Sequence, residues 1–171
     1  QVVARLRHAL HTRAIGHAGT LDPLADGLMV ILVGQYTRLS SYLTADDKRY
    51  VAAVHFTGRT NTDDAEGQIL ESADSSPLKL AKIKDMLATM LGKQMQVPPI
   101  FSAIQINGER LYKKARRGED VEIPPREVTF HELNLVSYDA PVAIVAVHCS
   151  KGTYVRALAR DLGNLLGVPA H

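Results

Sequence analysis

Cysteine is almost absent from this 171-residue chain. Cys149 stands alone, so no internal disulfide can form and no cysteine-rich zinc site can be assembled. A single thiol favours a reducing, cytoplasmic setting. Long hydrophobic runs are missing too. The longest, Leu28–Val33 (LMVILV), falls far short of the ~18 residues needed to cross a bilayer, so no membrane association is expected. The opening QVVARLRHAL is amphipathic and is no signal peptide. With no initiator Met before it, the chain is expected to be a piece of something longer. Net charge is only +2, which by itself says little about partners.

Several chemistries are unsupported. There is no G-x-x-x-x-G-K-[ST] and no G-x-G-x-x-G after a strand, which leaves nucleotide cradles without a basis. The histidines lack H-E-x-x-H spacing, so no protein-held metal is expected. NTDDAEG (61–67) lacks the alternating ligands and closing glutamate of a calcium loop, and reads instead as a solvated acidic turn.

What is present is ordinary globular material, 46% hydrophobic and 22% charged, long enough to bury a core. A helix is expected to end near His11, a buried strand to span Leu28–Gly34, and TRLSSYL to form a short helix. KRYVAAVHFTG reads as a strand, with QILES as its return in a long hairpin. Pro77 opens a helix that turns Leu80, Ile83, Leu87, Met90 and Leu91 inward and stops at Gly92. An extended Pro98-Pro99 corner and a strand follow. Asn107-Gly108 then turns into a basic helix that ends at Gly118. Two strands meet at Ala140-Pro141, and a closing helix places Val155, Leu158, Leu162 and Leu165 inward. Hairpins outnumber βαβ units. The expectation is one α/β (α+β) domain over 1–171, with a mixed, mostly antiparallel sheet flanked by helices.

Two constellations stand out. Arg110, Lys113, Lys114, Arg116 and Arg117 crowd one short stretch, which suits a polyanion footprint or a solvated helix face. GHAGTLDPLADGLMV (16–30) gathers three glycines, a histidine and two aspartates before a strand. Pro23 keeps Asp22 away from helical angles, so its carboxylate sits on an extended backbone. An Asp-Pro pair alone can simply close a turn. The whole string, with His17 and Thr20 between glycines, suits a nucleophile or general base. Such a carboxylate needs a partner, and an arginine fork provides an oriented one. Arg156 in SKGTYVRALARDLG is the candidate, placed in the first turn of a helix behind a Gly152-Thr153 cap.

GHAGTLDPLADGLMVILVG, TRLSSYLTADDKRY, GRTNTDDAEG, PPIFSAIQINGERLYKKARRGE and SKGTYVRALARDLG, in this order, closely resemble the bacterial tRNA pseudouridine synthase B family. The resemblance runs from about Val2 to the last residue. It implies the pseudouridine synthase catalytic fold and isomerisation of uridine 55 in the tRNA T-loop, where the N1–C1′ bond breaks and a C5–C1′ bond forms. It implies no cofactor and no metal, tRNA (the T-arm) as partner, and a monomer. Asp22 becomes the covalent catalyst, attacking either base or sugar, and Arg156 its partner. Tyr50 stacks on the target base and helps remove its C5 proton, His17 lies beside the RNA where the base is extruded, and Gly19 and Thr20 are expected to bind the RNA substrate. Arg110, Lys113, Lys114 and Arg117 meet phosphates.

The family's N-terminal Lys-Pro strand and its C-terminal PUA region are expected to lie outside this chain. Asp26 stands where threonine is common, and Gln105 where lysine is usual. A non-catalytic tRNA-binding or folding module would use the same surface without needing Asp22. An acid/base hydrolase would recruit Asp26 and leave the basic stretch unexplained.

Overall fold

The chain divides between Asp47 and Lys48 into two units. The computed structural model describes every residue except 1, 73–76, 103, 107, 112–116, 118 and 120. In the first unit, helix α1 (Val2–Ala9) buries no residue. Strands β1 (Ile15–His17) and β2 (Ile31–Val33) pair antiparallel with Gly16 opposite Leu32. A 3-10 turn (Gly34–Leu39) runs into helix α2 (Ser40–Thr44), where TRLSSYL predicts a short helix. The strand expected over Leu28–Gly34 is shorter and less buried. Leu32 is buried, but Leu28 is 90% exposed. The three-residue ladder ends at His17–Ile31, and apolar content alone does not report burial beyond it.

The second unit is built on a four-stranded antiparallel sheet. Its strands are β3 (Lys48–His55), β6 (Gly92–Gln96), β9 (Arg126–Asp139) and β10 (Val142–Cys149), in the spatial order β3-β10-β9-β6. The turn between β9 and β10 holds the Ala140-Pro141 bond in cis. Strand β4 (Gly58–Thr60) pairs with β5 (Ile69–Ser72) in a separate hairpin, so QILES returns on Gly58–Thr60 and not on β3. Helix α3 (Leu80–Thr89) buries Ile83 and Leu87 but leaves Leu80 and Leu91 about half exposed. Strand β6 escapes sequence reading, because GKQMQ carries no apolar alternation and gains strand form only by pairing with β9. Strands β7 (Gln105–Ile106) and β8 (Glu109–Arg110) form a short hairpin. Arg110 therefore lies on a strand where a helix was expected, and the centre of the expected basic helix falls outside the described residues.

Strand β10 has the period that a half-covered strand requires. Ala143, Val145, Val147 and Cys149 are buried on one face. They pack with Val128, Phe130 and Leu133 of β9, Ile83 and Leu87 of α3, and Leu158, Leu162 and Leu166 of helix α4 (Val155–Leu166). Each large aliphatic or aromatic side chain so covered stabilises the fold by roughly 1.5–3 kcal/mol before conformational entropy is set against it. The inward stripe of α4 runs Leu158, Leu162, Leu166, and Leu165 is half exposed, one residue off the expected register. Gly163 explains how α4 meets the chain that follows it. A Cβ there would stand 2.6 Å from the Val168 carbonyl oxygen and 2.7 Å from Ala170 Cβ. Only a glycine lets 168–170 fold back so closely, and His171 then exchanges two backbone hydrogen bonds with His55 of β3, at 2.8 and 3.1 Å.

Candidate active-site elements

In the first unit, the β1–β2 connection carries His17, Gly19, Thr20 and Asp22. The Ala18 amide donates to the Val30 carbonyl at 3.0 Å, which closes the neck of the loop. Gly19 has φ +156° with open space where a side chain would begin, so conformation rather than crowding demands glycine there. Asp22 is half-buried, and its carbonyl accepts the Ala25 amide at 2.9 Å in the turn that Pro23 opens. Thr20 is exposed. His17 ends β1, and its carbonyl accepts the Ser40 hydroxyl at 3.3 Å. Its Nδ1 is buried with no hydrogen-bond partner among the described residues.

In the second unit, Arg156 lies in the first turn of α4, as expected. The residue capping that helix is Tyr154. Thr153 instead donates its hydroxyl to the Ser150 carbonyl at 2.9 Å. Tyr154 is gripped by the side-chain amide of buried Gln96. The Tyr154 amide donates to Gln96 Oε1 at 2.9 Å, and Gln96 Nε2 donates to the Tyr154 carbonyl at 3.2 Å. The start of α4 is thereby fixed to the end of β6.

The turn 60–68 is not the solvated acidic loop that its composition suggests. Asp63 is buried and Asp64 nearly so, because α4 presents two arginines to them. Arg156 Nη1 donates to the Thr62 carbonyl at 2.9 Å and lies 3.4 Å from Asp64 Oδ2, while its Nη2 donates to the Phe101 carbonyl at 3.3 Å. Arg160 Nη1 donates to Asp63 Oδ2 at 2.8 Å, Nη2 to the Val97 carbonyl at 2.8 Å, and Nε to Asp161 Oδ1 at 2.9 Å. The turn is also hydrogen-bonded within itself. Asp64 Oδ1 accepts the Thr62 hydroxyl at 2.6 Å and the Glu66 amide at 3.1 Å, and Asn61 Oδ1 accepts the Gln68 amide at 2.9 Å. A Cβ on Gly67 would fall 2.2 Å from Thr62 Oγ1, so the turn closes only around glycine. Sequence reading missed Gln96, Asp63, Asp64 and Arg160. The signal available was the i, i+4 spacing of Arg156 and Arg160, which puts both on one helix face.

Tyr50 sits on β3, at an edge of the sheet, opposite Val147 of β10. It is half-buried and packs against the hydrophobic core, a placement that packing alone would also account for. Arg110 is exposed on β8 across from Gln105. Arg117 is exposed as well, but it is paired. Its Nη1 and Nη2 hold Glu109 at 2.7 and 2.9 Å, and its Nε meets Glu119 at 2.5 Å. Lys113 and Lys114 lie outside the described residues. Among the described residues no three His, Cys, Asp or Glu side chains converge as metal ligands, and no helix is long and apolar enough to cross a membrane.

Comparison with known proteins agrees with the motifs. A family model described as TruB family pseudouridylate synthase (N terminal domain) matches residues 7–155. The chain is 44% identical over 170 residues to the tRNA pseudouridine synthase B of Opitutus terrae, covering 99% of this chain and 70% of that protein. It is 48% identical over 164 residues to the tRNA pseudouridine synthase B of Trichormus variabilis, covering 94% and 56%. It is 45% identical over 171 residues to that of Caldanaerobacter subterraneus, covering 99% and 60%. The chain thus spans between 56% and 70% of the length of these relatives. Among solved structures, a chain in the crystal structure of a Cbf5-Nop10-Gar1 complex superposes with a TM-score of 0.74 at 25% identity, over 99% of this chain and 41% of that one. A structure of an H/ACA RNP bound to a substrate RNA containing 2'-deoxyuridine shares the fold, with a TM-score of 0.69 at 22% identity, over 99% of this chain and 39% of that one. The specific Asp-Pro and Tyr-x-Arg strings and the family model's match over most of the chain converge on one assignment: the chain belongs to the TruB family of pseudouridylate synthases.

Proposed function

We propose that the protein to which this chain belongs is a tRNA pseudouridine synthase that isomerises uridine 55 of the T-loop. The observation that carries this reading is the 44–48% identity to relatives named tRNA pseudouridine synthase B, in a chain whose sequence contains Asp22, Tyr50 and Arg156. In this reading Asp22 attacks the nucleoside covalently, at base or sugar. The N1–C1′ bond breaks, the uracil turns, and C5 bonds to C1′ before its proton leaves. Tyr50 stacks on the base and assists that proton's removal, and the Arg156 fork orients the aspartate.

Reaching uridine inside a folded T-loop requires flipping it out, at a cost of a few kcal/mol. An aromatic platform offsets that cost by about 1–3 kcal/mol. His17 supports the reading, because a buried ring nitrogen with no hydrogen-bond partner among the described residues suits contact with an extruded nucleotide. Basic side chains around 110–117 would meet phosphates and give affinity without sequence reading.

The test is tritium release from uracil-C5-labelled tRNA by the full-length protein. Release, with pseudouridine recovered at position 55, is the expected result. Tight tRNA binding without release would replace the enzyme by an RNA-binding or RNA-folding module.

A further inference from the structure

Arg156 and Arg160 do more than share a helix face. Both bridge the same two segments. Arg156 reaches Thr62 and Phe101, and Arg160 reaches Asp63 and Val97. Arg160 gives its three nitrogens to three different parts of the chain, counting Asp161 as the third. The Arg160–Asp63 pair is deeply covered, with 15% and 12% of the two side chains exposed. To meet Arg160, Asp63 adopts φ +60°, a left-handed backbone that non-glycine residues rarely take.

A buried pair of this kind returns little net stability, since desolvation of both charges offsets their attraction. What it fixes is geometry. The turn it holds is the one that supplies the Thr62 carbonyl and the Asp64 carboxylate to Arg156, one residue to either side of Asp63. With Gln96 pinning the helix start at Tyr154, α4 is fixed along its first two turns against both neighbours.

We propose that Asp63 and Arg160 form a positioning pair, which locks the turn 60–68 onto α4 and so holds the Arg156 guanidinium in the one orientation that the isomerisation uses. This inference rests on the reading of Arg156 as the arginine that works at the reacting centre. Both side chains are largely covered, so in this proposal they act through Arg156 and not on the substrate. A lysine at 160 keeps the charge but has no fork with which to bind Asp63, Val97 and Asp161 together.

The experiment uses the full-length protein and C5-tritiated tRNA, with single-turnover rates normalised to the folded fraction and tRNA Kd measured separately. Asp63→Asn, Arg160→Lys and Arg160→Met are each expected to slow the single-turnover step by about 10- to 100-fold, the range a small misplacement of a catalytic group produces. The Kd should stay within about threefold of the parent's, since binding does not run through the pair. The double variant Asp63→Asn/Arg160→Met should be no slower than the slower single, because one removed partner already breaks the unit. If Arg160→Met does not fold, the isosteric Asp63→Asn carries the test alone. Parental rates in Asp63→Asn and Arg160→Lys, or rate losses matched by equal losses of binding, would overturn the positioning role while leaving the enzyme reading intact. An inactive parent would instead overturn the reading on which the pair rests.

Discussion

The Asp63 carboxylate and the Arg160 guanidinium meet at 2.8 Å although 97 residues separate them in sequence. Burial raises the Asp63 carboxyl above its ordinary range, against the pull of Arg160 first and then of Arg156 and Arg59. The Asp161 carboxyl is raised as well, by burial first, with Arg160 opposing and Asp63 adding to the shift. One guanidinium thus serves two covered carboxyls.

This has a consequence for stability against pH. A carboxyl whose folded value lies above its unfolded value of 3.8 holds its proton longer in the native state. Its contribution to stability is full below 3.8 and is lost as pH rises through the folded value. Asp63→Asn removes that loss. Urea unfolding at several pH values should show the variant gaining on the parent as pH rises above 3.8. A difference that does not change with pH would contradict the burial argument.

Gln96 gives a prediction of the opposite kind, where stability and not chemistry is at stake. Gln96→Leu fills a similar volume but takes the partner from the Tyr154 amide, while the Tyr154 carbonyl keeps the Leu158 amide at 3.1 Å. The expected loss is about 1–3 kcal/mol. Unfolding free energy within experimental error of the parent would mean that the amide clamp is dispensable.

Asp22→Asn preserves size and turn hydrogen bonding while removing the carboxylate proposed as the nucleophile. Pseudouridine formation should fall to background, with tRNA affinity equal to the parent's or higher, since one negative charge facing the RNA has gone. Turnover at the parental rate would remove Asp22 from the mechanism.

Tyr50→Phe keeps the ring that packs against the core and removes only the hydroxyl. The melting temperature should change little, and single-turnover rate should fall by about 100-fold or more, the scale of a lost proton-transfer group. A large fall in melting temperature with the rate per folded molecule unchanged would return Tyr50 to a packing role at the sheet edge.

The basic stretch is divided by the pairing of Arg117. Glu109 and Glu119 already compensate its charge, so Arg117→Ala should change the salt dependence of tRNA binding by clearly less than one phosphate contact. Lys113→Ala and Lys114→Ala should each flatten the slope of log K against log salt by roughly 0.7–0.9. Equal effects from all three, read from binding isotherms at several salt concentrations, would show that the glutamates do not shield Arg117.

The legible parts of this chain were those where local pattern and tertiary environment agree. The alternation of β10 and the 3.6-residue stripe of α4 state their burial in the residues themselves, apart from the exchange of Leu165 for Leu166. Strand β6 was invisible, because its form comes from β9 and not from its own five residues. Composition misread the turn 60–68 for the same reason. Asp, Asn, Thr and Gly signal a surface turn, and only the distant Arg156 and Arg160 make it a covered one. For the site, glycine and proline around Asp22 and the Tyr-x-Arg string were readable as motifs. The support behind Arg156 was not, since carbonyl oxygens from Thr62 and Phe101 have no residue signature.

The pairing of β3 with β10, His55 opposite Val142 and Lys48 opposite Cys149, bears on how the chain is born. Strand β3 leaves the ribosome about 90 residues before its partner, an interval of roughly 5–20 s at ordinary rates of synthesis. Throughout that time Val51, Val54 and the intervening alanines are an open strand with no edge to join, the kind of surface that recruits chaperones or another nascent chain. Capture of ribosome-bound chains should therefore peak at lengths that expose β3 and subside once Cys149 has emerged.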